Sequence, residues 1–337
     1  MTLKTKQLQG VSSGCAVSSV VEHFLDTEGV RGSNPLSRTI FTQRRHRGRH
    51  AICISTSPPR TDDLKLPPPN SGLLRPKITH AVFDFDGTLS WLRHGWPELM
   101  ARLFEEHVPG RPGEAAPALH DLLIDDILSL NGKPSIHQMI RCAERVRERG
   151  LPPPDPKKLL HEYERRLDAA IAERTARILS GNAQRDDFVV HGARRFLEKL
   201  QDHGLTLIIL SGTVEKRVKE EAALLDLARY FGRHIYGGTA DAARSSKQAV
   251  IGRLLRGEGI SGGHLVAFGD GPVEIRVARE AGALAVGVAS DEEINGSGTL
   301  HPHKQRQLSA AGAELLVPDY RNVTELLALI TGRASVS

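Results

Sequence analysis

Ala81-Val82-Phe83-Asp84-Phe85-Asp86-Gly87-Thr88-Leu89 is the stretch whose reading decides the fold. Its β-branched and aromatic start reads as a short buried strand, and Gly87-Thr88 as the turn that ends it. Side chains two apart on a strand point the same way. Asp84 and Asp86 are therefore expected to emerge together at the carboxyl end of a strand, where open α/β sheets bind their ligands. Two carboxylates there can divide the labour, one attacking and the other moving protons. Asp and Gly are also common in ordinary strand-end turns, so the choice between these readings rests on the rest of the chain.

Outward from this strand the periodicity changes twice. Residues 90–187 read as helical, with candidate helices at 97–107, 117–130, 135–149 and 156–179 and a Pro152-Pro153-Pro154 break before the last. From Phe188 strands and helices alternate. Strands are expected at 205–210, 234–237, 264–268, 284–289 and 314–317, and helices at 192–203, 214–230, 246–256, 273–281 and 323–330. That alternation predicts an α/β fold with a doubly wound parallel sheet. The helical block inserted after the first strand predicts an all-helical cap. Residues 76–90 and 188–337 then form the core, and 91–187 the cap.

Composition narrows the function classes. With 337 residues, 39% apolar and 25% charged, the chain is within the globular range. It holds no run of eighteen apolar residues, so no membrane span is expected. Cys15, Cys53 and Cys142 form neither a metal-ligand spacing nor a disulfide framework, the usage expected of a reduced cytoplasmic protein. A pI of 9.2 invites a nucleic-acid reading. Residues 1–80, however, carry 12 Lys and Arg against 5 Asp and Glu, a net +7, and the remainder 33 against 35, a net −2. The basicity thus belongs to the N-terminal extension, and nucleic acid is not the expected partner of the folded part.

That extension, residues 1–75, lacks sustained periodicity and reads as disordered. Gly32-Ser33-Asn34-Pro35 can be encoded by DNA resembling the T-arm of a transfer-RNA gene. Residues 1 to about 45 are accordingly expected to be a spurious reading frame called through such a gene. A transit peptide is opposed by Glu22, Asp26 and Glu28, and an RNA-binding tail by the lack of interleaved aromatics.

Three further strand ends carry chemistry. Leu210-Ser211-Gly212-Thr213 offers a hydroxyl and backbone N–H groups near a helix start, suited to an anionic oxygen, although the same residues serve as an ordinary helix cap. Lys247 opens a helix after Ser245-Ser246 and is placed to meet a phosphate. Gly269-Asp270-Gly271-Pro272-Val273-Glu274 delivers two carboxylates able to hold a hard divalent cation.

With these four motifs in order, the chain resembles the haloacid dehalogenase superfamily, in its phosphatase branch with a helical cap of the first type. The resemblance covers about residues 78–330. It implies a Rossmann-like core and a Mg²⁺-dependent phosphomonoester hydrolase. Asp84 would be the nucleophile forming an aspartyl-phosphate and Asp86 the general acid. Ser211, Gly212 and Lys247 would bind the phosphoryl oxygens. Mg²⁺ would be held by Asp84, Asp86 through its carbonyl, Asp270 and Glu274, the last standing where many relatives have Asp. An acid at Asp86 disfavours carbon–halogen cleavage, because halide leaves without a proton. Arg93 and His94, just after the first motif, are candidates to contact the leaving group, and Trp91 and Trp96 to pack the cap. Asn131-Gly132-Lys133 is a second candidate loop, and His301-Pro302-His303 reads as solvated. The expected partner is a small phosphorylated substrate such as a sugar phosphate. A β-phosphoglucomutase-like phosphomutase and a non-catalytic sugar-phosphate-binding protein are the alternatives, and oligomeric state is open.

Overall fold

A computed structural model describes residues 52–53, 77–131, 133–239 and 241–331. Among these, the strands are β1 (Ile52–Cys53), β2 (His80–Phe83), β3 (Thr206–Val214), β4 (Ile235–Gly238), β5 (Leu265–Gly269), β6 (Leu284–Val288) and β7 (Leu315–Val317). They form one parallel sheet in the order β1-β7-β6-β5-β2-β3-β4. The chain winds from β2 to β3 and β4, returns to β5 on the other side of β2, and continues to β6 and β7. The carboxyl ends of β2 and β5 therefore flank the point where the winding reverses, the ligand crevice of such sheets.

Alternation along the strands sorts the core into two faces. Ala81 and Phe83 of β2 join Leu207, Ile209, Val266 and Phe268 in one cluster, and Val82 joins Ile208, Leu210, Leu265 and Ala267 in the other. The first face is closed by α5 (Ala193–Asp202), α6 (Glu215–Leu224), α7 (Ala228–Phe231) and α12 (Val323–Thr331). The second is closed by α9 (Lys247–Glu258), α10 (Pro272–Glu280) and α11 (Pro302–Ala311). Phe83, Phe196, Phe268 and Tyr320 form an aromatic group under the sheet's carboxyl edge, with Phe83 and Phe268 stacked at 4.6 Å.

Between β2 and α5 lie α1 (Trp96–Glu105), α2 (Ala116–Ser129), α3 (Ile136–Glu148) and α4 (Pro156–Leu179). Asp155 caps α4 by accepting the Lys157 N–H at 2.9 Å, with Pro156 opening its first turn. These helices bury Met100, Phe104, Leu123, Met139 and Tyr163 in a third cluster that shares no residue with the sheet's two. The entering and leaving segments pair: Trp91 N–H donates to Phe188 O at 2.8 Å and Val190 N–H to Leu89 O at 2.9 Å. No helix among the described residues is long and apolar enough to cross a membrane.

Several element boundaries differ from expectation. β3 runs on through Ser211-Gly212-Thr213 to Val214, with a register shift against β4. The helix expected over 214–230 is broken into α6 and α7 (a short α8, Ala242–Ser245, precedes α9), with Asp226 at φ +55° between the first two. Segment 301–303, read as a solvated loop, instead opens α11. The expectations for residues 1–75 fall outside the described residues except at β1, which pairs with Leu315 and Leu316.

Candidate active site

Burial and backbone ties place Asp84. Its N–H donates to Phe268 O at 2.9 Å, locking the end of β2 against β5. Its carboxylate accepts Lys247 Nζ at 2.9 Å, and the same ammonium pairs with Glu274 Oε1. Lys247 reaches this point because Ser246 caps α9, its hydroxyl accepting the Ala249 N–H at 3.3 Å, and Lys247 is the helix's first residue.

Asp86 stands in different company. Thr213 Oγ1 donates to its Oδ2 at 2.9 Å, and the Arg93 guanidinium pairs with its Oδ1. Arg93 also grips buried Glu221 on α6 at 2.6 and 2.8 Å. Burial raises the Glu221 carboxyl despite that guanidinium. Asp84 is 11% exposed and Asp86 25%, so the second carboxylate keeps the better access to an incoming molecule.

Asp270 follows β5. Its carboxylate is packed so closely on Gly87 that a Cβ there would lie 2.2 Å from Asp270 Oδ2. Gly87 also has φ +71°, a conformation that glycine adopts without strain. Lys304 Nζ lies 3.1 Å from Asp270 Oδ2 and 2.5 Å from Glu292 Oε1. Glu274 is folded against two glycines: a Cβ on Gly269 would be 2.5 Å from Glu274 Cβ, and one on Gly271 2.4 Å from its Oε2. That Oε2 is buried and accepts no hydrogen bond among the described residues.

The site is thus an acidic cluster with three cations largely out of solvent, Lys247, Lys304 and Arg93. Burial, together with the charges of Glu274 and Asp270, raises Asp84 above the usual carboxylate range against the pull of Lys247. Burial raises Asp270 in the same way, with Glu274 and Glu292 adding to it and Lys304 opposing. Burial disfavours both ammonium groups, and the carboxylates facing them more than reverse that, so Lys247 and Lys304 stay charged.

A hard cation suits this donor set. Asp84 and Asp270 offer carboxylate oxygens whose mutual repulsion would be relieved by added positive charge, and Glu274 holds an oxygen without a donor among the described residues. Among the described residues no group of three or more His, Cys, Asp or Glu stands ready to hold a metal by itself. Mg²⁺ asks for less, one or two carboxylates completed by water and substrate phosphate.

The remaining expected residues are distributed as follows. Ser211 is buried, its hydroxyl accepting the Thr213 N–H at 3.1 Å, and Gly212 is exposed beside it. Arg93 is at the site, held by Asp86 and Glu221. His94 stacks on Trp91 at 3.8 Å and bonds Trp91 O at 2.7 Å. Lys133 is exposed, and Gly132 lies outside the described residues. Thr213 as a partner of Asp86, and Glu221, Ser290, Glu292 and Lys304 as parts of the site, are not expected from the sequence. Thr213 lies within an expected motif and Glu221 on an expected helix, whereas Ser290, Glu292 and Lys304 lie in segments whose pattern carries no signal.

A family model, haloacid dehalogenase-like hydrolase, matches residues 78–282. No curated protein matches the chain. Among solved structures, a haloacid dehalogenase-like protein from Agrobacterium tumefaciens is 20% identical, with TM-score 0.54 over 75% of this chain and 99% of its own. A hydrolase of the same family from Deinococcus radiodurans, solved with bound phosphate and sodium, is 17% identical, with TM-score 0.52 over 77% of this chain and 99% of its own.

Proposed function

The chain belongs to the haloacid dehalogenase-like hydrolases, and from that premise we propose that it hydrolyses a small phosphomonoester, such as a sugar phosphate, through Asp84 and Asp86. The observation that carries this reading is the contrast between the two carboxylates. Asp84 faces Lys247, and the less buried Asp86 is gripped by Thr213 and Arg93.

Asp84 Oδ attacks phosphorus as the bond from phosphorus to the leaving oxygen breaks, giving an aspartyl-phosphate. Asp86 gives its proton to that leaving oxygen, so an alcohol departs instead of an alkoxide. Water then attacks phosphorus, Asp86 takes the water's proton, and the bond to Asp84 breaks to release phosphate. Lys247 offsets the charge of Asp84 and of the phosphoryl oxygens during both transfers. Ser211 and the Gly212 N–H bind the phosphoryl oxygens in the last part of β3, where the Thr213 N–H holds the Ser211 hydroxyl in place. Mg²⁺ held by Asp84, Asp270 and the Asp86 carbonyl would supply the charge neutralisation that lets a carboxylate approach a phosphate dianion. Arg93, at the mouth of the cap, would orient Asp86.

The test is phosphate release by the full chain from a panel of small phosphomonoesters, with and without Mg²⁺, beside an Asp84→Asn variant. Metal-dependent release that vanishes in the variant is expected. Phosphate transfer to a second sugar phosphate without net release would replace hydrolysis by a mutase. Ligand binding without turnover in wild type would make the protein a binder.

A further inference from the structure

Lys304 lies outside the four motifs, on α11, and is 1% exposed. A buried ammonium is tolerated only among anions and acceptors. A lysine has three N–H donors, and here they face Asp270 Oδ2 at 3.1 Å, Glu292 Oε1 at 2.5 Å and Ser290 Oγ at 3.1 Å. With every donor used, Lys304 acts through its neighbours and not on substrate.

Those neighbours reach both halves of the molecule. Ser290 Oγ donates onward to Gly87 O at 2.8 Å, in the turn that follows Asp84 and Asp86. Glu292 Oε2 accepts the Gly95 N–H at 3.4 Å, at the first turn of the cap. The adjoining Asp291 O accepts Trp91 Nε1 at 3.1 Å, on the segment that enters the cap. α11 itself touches the cap on either side of Lys304, His303 pairing with Asp125 and Gln307 Nε2 donating to Leu128 O, both on α2. One buried cation therefore bridges a site carboxylate and the strap that holds the cap's entry.

We propose that Lys304 is a positioning residue that couples the Asp270 carboxylate to the cap through Glu292. The inference rests on the reading above that Mg²⁺ sits against Asp270. Added positive charge at Asp270 weakens its share of Lys304, and the ammonium then leans on Glu292, whose other oxygen holds Gly95. Metal at the floor of the site is thereby felt at the hinge.

Trp91 and Trp96 are the chain's two tryptophans and both lie at this hinge, so intrinsic fluorescence reports on it. Full-length wild type, Glu292→Gln, Lys304→Met and Lys304→Arg are titrated with Mg²⁺, binding followed by calorimetry and the hinge by tryptophan emission. Wild type is expected to bind Mg²⁺ and change its emission with the same midpoint. Glu292→Gln and Lys304→Met are expected to bind Mg²⁺ with the emission change lost, and to lower kcat. Lys304→Arg is expected to keep the response. If Lys304→Met does not fold, Glu292→Gln carries the test. A wild-type emission response in Glu292→Gln, or no response in a wild type that binds Mg²⁺, overturns the coupling alone. A wild type that binds no Mg²⁺ overturns the metal reading, and the coupling with it.

Discussion

Gly87→Ala separates what the first motif's turn contributes to stability from what it contributes to chemistry. Gly87 sits at φ +71°, and an added Cβ would lie 2.2 Å from Asp270 Oδ2. The left-handed backbone costs an alanine about 1–2 kcal/mol, which in a chain of this size lowers the melting temperature by about 1–4 °C. The overlap is a separate matter. Relieving it moves the Asp270 carboxylate or the turn by about 1 Å, and a misplacement of that size costs about a hundredfold in rate. Gly204 gives a matched control, with φ +76° and nothing within 4 Å of its added Cβ. Gly204→Ala should therefore melt lower by a similar amount and keep wild-type turnover. Differential scanning calorimetry reads the first effect and phosphate release the second. If Gly87→Ala turns over at the wild-type rate, Asp270 does not rest against this turn in the working enzyme. If the two variants lose activity equally, the loss is one of folding and not of geometry.

Four other outcomes are expected. Lys247→Met leaves Asp84 and Glu274 without the ammonium they share, and denaturant unfolding should show a loss of about 3–5 kcal/mol; wild-type stability would mean that the pairing is not formed. Phe196→Ala empties a fully buried place between Phe83, Phe268 and Tyr320, at a cost of about 3–5 kcal/mol in the same measurement. Burial holds His80 below the ordinary histidine value. As pH falls through about 6.5 the unfolded chain takes up this proton and the folded one does not, so stability drops with pH in that window. A midpoint for His80 at or above about 6.5 by NMR would refute this. Chelation of divalent cations with EDTA should stop phosphate release, and Mg²⁺ should restore it; release that survives chelation removes the metal from the reading.

Much of this protein is local, and local order is what a sequence carries. The β-branched and aromatic run before Asp84 specifies a buried strand by composition, and the change from helical to alternating pattern at Phe188 marks where the core resumes. β2, β5 and β6 lie where their apolar runs lie, because a parallel strand buried on both faces must be apolar throughout. Three of the four motif segments are legible because each ends such a run, and Lys247 because it opens a helix behind a Ser cap. α11 was not legible: among its ten residues only Leu308 and Lys304 are buried, so it shows no apolar stripe of helical period. The extension of β3 through Ser211-Gly212-Thr213 was likewise hidden, since its last residues are polar or small and their pairing with β4 is set by a neighbour far along the chain.

The sequence by itself determined the sheet, the inserted helices and the order in which the reactive side chains appear, because strand and helix periods are written in neighbouring residues. Only the tertiary structure decided which charge faces which. Arg93 meets Asp86 and Glu221, and Lys304 meets Asp270 and Glu292. Such ion pairs, whether seven residues apart or more than a hundred, leave no periodic trace, since the attraction between two charges depends on their distance in space and on the water excluded around them.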